Sequence, residues 1–127
     1  MSAAQGIYFP DPDKATAGIH FMNVLKALGL NESLQNRFRV FPNGASTMAA
    51  MAQSQEPGLI GCTQVTEINY TEGVVLIDVL PAEFELSTDY TLGICTGSQN
   101  PAQAQVLSDL LSGSASAAVR RQGGFEF

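Results

Sequence analysis

Ile7–Leu30 reads IYFPDPDKATAGIHFMNVLKALGL and contains a strand, a stop and a helix in succession. Ile7-Tyr8-Phe9 is a short β-rich run. Pro10-Asp11-Pro12-Asp13 ends it, because each proline removes a backbone donor and restricts the residue before it. From Ala17 to Leu28 the apolar residues Ile19, Met22, Leu25 and Leu28 recur every third position, and Phe21 and Val24 widen the stripe. That spacing predicts an amphipathic helix, with Gly29 as its stop.

Working outward, the same alternation repeats. Phe38–Phe41 reads as the next strand and Asn43-Gly44 as its break. Ala45–Gln53 is a short helix with a small-residue face, and Leu59–Cys62 is a third strand. Thr63–Asn69 is polar enough for one or two helical turns. Val74–Leu80, apolar except for Asp78, suits a strand buried on both faces, broken by Pro81-Ala82-Glu83. Tyr90–Thr96 reads as a fifth strand. Asn100-Pro101 supplies an N-cap and a first-turn proline for a helix whose apolar face is Val106, Leu107, Leu110 and Leu111. Ser114 caps a last short helix ending at Gly123-Gly124. Strands separated by helices predict an α/β fold with a mostly parallel sheet flanked by helices.

Composition narrows the function. The 127 residues fit one domain, 45% hydrophobic and 14% charged, which is a globular composition. No apolar run approaches the ~20 residues of a membrane span, so no membrane insertion is expected. The net charge is −6, and the six Lys and Arg form no basic patch, which argues against nucleic acid as a partner. The amino end lacks the cationic start and apolar stretch of a secretory signal. Neither a G-x-G-x-x-G nor a P-loop motif is present, nor a G-x-S-x-G. His20, the single histidine, reads as an ordinary helix residue. Cys62 and Cys95 read as small buried hydrophobes, and a bridge between them requires Cα atoms within ~7 Å, which sequence leaves open. The pairs Asp11/Asp13 and Glu83/Glu85 read as solvated turn residues. The chain is therefore not expected to be an enzyme, and no cofactor or metal is expected.

What remains is backbone chemistry. In open α/β sheets ligands gather at the carboxyl ends of strands, where helix amino termini offer unpaired N–H groups and partial positive charge to oxyanions. Thr16-Ala17-Gly18 opens the first helix, and Gly61-Cys62-Thr63 leaves the third strand; both segments fit.

Several segments in order carry a family resemblance. They are Asp11-Pro12-Asp13, Ala17-Gly18, Leu25-Lys26-Ala27-Leu28-Gly29, Pro57-Gly58-Leu59-Ile60-Gly61 and Gly73-Val74 to Leu80-Pro81-Ala82-Glu83. Tyr90 with Gly93 follows, then Asn100-Pro101-Ala102, Leu110-Leu111-Ser112 and Gly124-Phe125-Glu126. Together they resemble the molybdate-binding periplasmic proteins of ABC transporters, from about Ile7 to Phe127. The resemblance implies a tetrahedral molybdate or tungstate held between two α/β lobes by neutral donors. The ligand-binding residues it implies are Ala17 and Gly18 at the first helix, Thr63 with one residue of slack to Cys62, and the hydroxyl of Tyr90.

The family's members are about twice this length, and their first lobe, which supplies serine hydroxyls, has no counterpart here. The chain is thus expected to be one lobe of a bilobal fold, a carboxyl-terminal half. About 10–88 would be the second lobe and 89–127 a tail crossing back to the first, with hinges near Tyr8–Pro12 and Phe84–Tyr90. The implied partners are the oxyanion and an ABC permease, and the implied location is the periplasm. The face left open by the missing lobe would favour a homodimer. Two alternatives stand beside the transport reading: the ligand-sensing effector domain of a bacterial transcription regulator, and a stand-alone dimeric lobe without ligand.

Overall fold

A computed structural model describes residues 3–127, which divide into two compact units, the first running to Glu85 and the second spanning Leu86–Phe127. The first unit is built on strand β1, Gly6–Pro10, all five residues of which are buried. β1 lies between two parallel partners, β2 (Phe38–Phe41) and β3 (Leu59–Gly61), in the order β2-β1-β3. Helix α1 (Thr16–Ala27) connects β1 to β2, α2 (Gly44–Gln53) connects β2 to β3, and the short α3 (Val65–Asn69) follows β3. The parallel α/β architecture expected from the alternation is present.

Each face of β1 is covered by a different helix, which explains its complete burial. Ile7 and Phe9 point towards α1 and form a core with Phe21, Leu25 and Leu34. Phe9 packs edge-on against both Phe21 and Phe38, at 5.3 and 5.1 Å between ring centroids. On the other face Tyr8 stacks on Phe41 at 5.9 Å, and the buried Met48 of α2 packs against Gly61. α1 stops where Gly29 takes φ +66°, a left-handed conformation that costs glycine little. The N–H of Leu30 then bonds to the carbonyl of Leu25 at 2.8 Å, closing the helix end as a Schellman motif does.

Two expected strands do not form. Val74–Leu80 carries no strand pairing, and Val75, Ile77 and Val79 are 73%, 87% and 61% exposed. Tyr90–Thr96 is likewise without strand structure, and Cys95 within it is exposed rather than buried. An apolar run is buried only if a neighbouring strand and two covering layers are supplied, and β propensity by itself supplies neither.

In the second unit the expected helices are present as α4 (Pro101–Ser112) and α5 (Ala117–Gly123), the latter preceded by a 3₁₀ turn over Ser114–Ser116. Asn100 occupies the N-cap position without a side-chain capping bond. Ser114 starts the 3₁₀ turn, and Ser116 is the residue before α5. Arg120 donates to the carbonyls of Ser112 and Gly113 at 2.8 and 2.9 Å, satisfying the carboxyl end of α4. Val106, Leu107, Leu110 and Leu111, the apolar face of α4, are exposed.

Candidate functional site

With β1 central, the chain leaves it towards β2 and returns past it to β3. The connections after β1 and β3 therefore diverge, one to α1 and one to α3. This is the topological switch point, and the crevice beyond the carboxyl ends of such strands is where open α/β sheets hold ligands.

On the β1 side, Asp11 fixes the approach to α1. Its N–H donates to the Phe41 carbonyl at 2.7 Å and so continues the ladder past Pro10. Its carboxylate accepts from the N–H groups of Asp13 and Lys14 at 2.8 and 3.1 Å, and its carbonyl accepts from Ala15 at 3.0 Å. The first turn of α1 then lies directly on the strand end. Gly18 is buried there, and a Cβ on it would overlap the carbonyl oxygens of Pro10 and Asp11. Thr16, Ala17 and Gly18 occupy the first turn, where a helix has no acceptor of its own for their N–H groups. Ala15 provides no side-chain cap, and Thr16 is exposed and Ala17 half-buried.

On the β3 side the ladder runs one residue beyond the strand. The N–H of Cys62 donates to the Tyr8 carbonyl at 2.9 Å, and the Cys62 side chain packs against the Ile7–Phe9 core. Burial pushes this thiol up from 9.0 to about 11, because a thiolate there would lose its solvation. Cys62 is thus engaged through both its backbone and its side chain. The first N–H past the ladder is that of Thr63, whose hydroxyl donates to the Glu67 carboxylate.

Ala17, Gly18, Cys62 and Thr63 accordingly all stand at the carboxyl edge of the sheet, on either side of the switch point. Tyr90 stands in the second unit, 67% exposed, with its ring edge-on to Phe125 at 5.8 Å.

Sequence reading missed three features of this edge. Asn43 caps α2: its side chain accepts from the Ser46 N–H at 2.9 Å while the Ser46 hydroxyl accepts from the Asn43 N–H at 3.3 Å. The N-x-x-S spacing carries that signal, as a variant of the capping box. Glu67 packs against Gly44, the first residue of α2, and its i,i+4 spacing from Thr63 was the available clue. His20, read as an ordinary helix residue, donates from Nε2 to the Phe84 carbonyl at 2.6 Å and ties α1 to the 3₁₀ turn over Ala82–Phe84. Among the described residues no cluster of three or more His, Cys, Asp or Glu is arranged to hold a metal ion, and no helix is long and apolar enough to cross a membrane.

The profile of a family described as bacterial extracellular solute-binding protein covers residues 4–126. No curated protein matches the chain.

Proposed function

The chain belongs to the bacterial extracellular solute-binding proteins, and on that premise we propose that its solute is a tetrahedral oxyanion, molybdate or tungstate. Membership implies ligand binding outside the cytoplasm in the service of transport, with an ABC permease as the general partner. The choice of anion is our reading. The observation that carries it is the pairing, across the β1/β3 switch point, of the first turn of α1 with the turn at Thr63. Both present backbone N–H groups, and helix amino termini favour negative charge. Neutral, preorganised donors suffice for a dianion, because hydrogen bonds to a charged acceptor are roughly twice as strong as neutral ones.

In this reading Ala17 donates from α1, with Gly18 bringing the helix end onto the strand. Thr63 donates from the second turn, Cys62 being engaged with Tyr8. The Tyr90 hydroxyl is the further donor that the family resemblance nominates. No residue acts catalytically, and no cofactor takes part. Location in the periplasm belongs to the same proposal, as does the division of the chain into a second lobe at about 10–88 and a crossing tail at 89–127.

Calorimetric titration with molybdate, tungstate, sulfate and phosphate tests it. Binding of molybdate and tungstate in preference to sulfate is expected. Tyr90→Phe should weaken molybdate about 10- to 100-fold, the value of one hydrogen bond to a charged group. Unchanged affinity removes Tyr90 from the site, and preference for sulfate or phosphate removes molybdate as the solute.

A further inference from the structure

We propose that Glu67 tunes the charge preference of this crevice, lowering the affinity for a doubly charged oxyanion more than that for a singly charged one of the same shape. The inference rests on the reading of the sheet edge as an anion site. Glu67 is half-buried and held by three hydrogen bonds. Its N–H bonds to the Gln64 carbonyl at 3.0 Å, its own carbonyl accepts from the Thr71 hydroxyl at 2.7 Å, and its carboxylate accepts from the Thr63 hydroxyl. The carboxylate lies against Gly44, where a Cβ would overlap it and would also overlap the Thr63 hydroxyl oxygen.

Two consequences follow from this placement. The amino end of α2, otherwise a third anion-receptive helix terminus at this edge, is already complemented by a carboxylate from within the chain. The donors left for a solute are those of α1 and of the Thr63 turn. The same carboxylate, bonded to the side chain of Thr63, confronts an anion at the Thr63 N–H with like charge. Every additional negative charge on the solute is penalised in proportion. Shape cannot produce this discrimination, since it acts equally on anions of one size.

Molybdate and perrhenate are tetrahedral oxyanions of similar size that carry two charges and one. Glu67→Gln keeps a carbonyl oxygen for Thr63 to donate to and removes the charge. In calorimetric titrations of the full chain at low ionic strength, this substitution should strengthen molybdate relative to perrhenate by about tenfold, the size of one unit charge at close range in a partly solvated site. The gain should shrink in 0.5 M NaCl. An unchanged molybdate-to-perrhenate ratio overturns the role of Glu67 and leaves the oxyanion reading standing. Absence of binding of either anion to either form overturns both.

The placement itself has a separate test that needs no ligand. In thermal melts, Gly44→Ala and Glu67→Ala should be non-additive, because the added methyl meets both the Glu67 carboxylate and the Thr63 hydroxyl in the native chain and only the hydroxyl once the carboxylate has gone. Strict additivity of the two substitutions would take the carboxylate away from α2 and overturn the proposal.

Discussion

Cys62 and Cys95 are chemically alike and sit in opposite environments. Burial against Ile7 and Phe9 keeps the Cys62 thiol protonated, pushed up to about 11, whereas Cys95 is exposed. At pH 8 iodoacetamide should modify Cys95 in the native protein and reach Cys62 only after denaturation, since the thiolate is the nucleophile; equal native labelling would contradict the burial. The sign of the linked stability is fixed by the direction of the shift. Below pH 9 the thiol is protonated in both folded and unfolded chains and its burial is fully favourable. As pH rises from 9 towards 11 the unfolded chain ionises first, so stability falls by roughly 2–3 kcal/mol. A Cys62→Ala variant should lack this component, which parallel melts at pH 8 and pH 11 can isolate. Gly18 is the other decisive single position. Gly18→Ala should cost several kcal/mol, at the severe end of point substitutions, because the added methyl meets two backbone carbonyls that end β1 and cannot turn aside. A loss of under 1 kcal/mol in urea unfolding would mean that the helix can lift off the strand.

At the level of elements, local chemistry decides where helices begin and tertiary pairing decides which apolar runs become strands. α2 begins where Asn43 and Ser46 exchange hydrogen bonds, and the Asn43 carbonyl also accepts from the Thr47 hydroxyl at 2.7 Å. Asn43→Ala should therefore lower stability by about 1 kcal/mol, the ordinary value of such a cap; an unchanged denaturation midpoint would show the cap to be dispensable. Val74–Leu80 is the opposite case. Its composition is that of a strand, yet Ile77 is 87% exposed and the segment has no ladder. The sheet gives β1 a neighbour on each side because α1 and α2 each return the chain beside it. After α3 the chain runs through Val74–Leu80 without pairing to β3. Lone β-rich segments gain nothing from propensity without cross-strand partners.

For the whole molecule, the buried residues concentrate in the first unit, around β1 and α1, while α4 and the segment over 86–99 have none. Hydrogen exchange should follow that distribution. The amides of Ile7–Phe9 should open only with global unfolding, whereas those over 74–80 should exchange within the dead time. Strong protection of Val75–Val79 would show that this run is paired after all. Phe21→Ala, which removes a ring touching Phe9 across the α1–β1 interface, should cost about 3–5 kcal/mol and abolish protection in β1.

The amino-acid sequence by itself determined the order of strands and helices through Leu59, the stop at Gly29, the helix start at Pro101 and the parallel α/β class. Each rests on short-range causes: apolar spacing, proline's missing donor, glycine's tolerance of positive φ. It also located the two backbone segments, 16–18 and 61–63, that end at the sheet's carboxyl edge, because βα junctions are visible as breaks in periodicity. Tertiary structure alone decided that both segments flank one switch point, since that depends on β1 lying between β2 and β3. It alone engaged Cys62 with Tyr8, placed the Glu67 carboxylate over Gly44, and left Val74–Leu80 unpaired. Those outcomes depend on which distant backbone groups meet, and hydrogen bonding and burial are properties of pairs that no single residue carries.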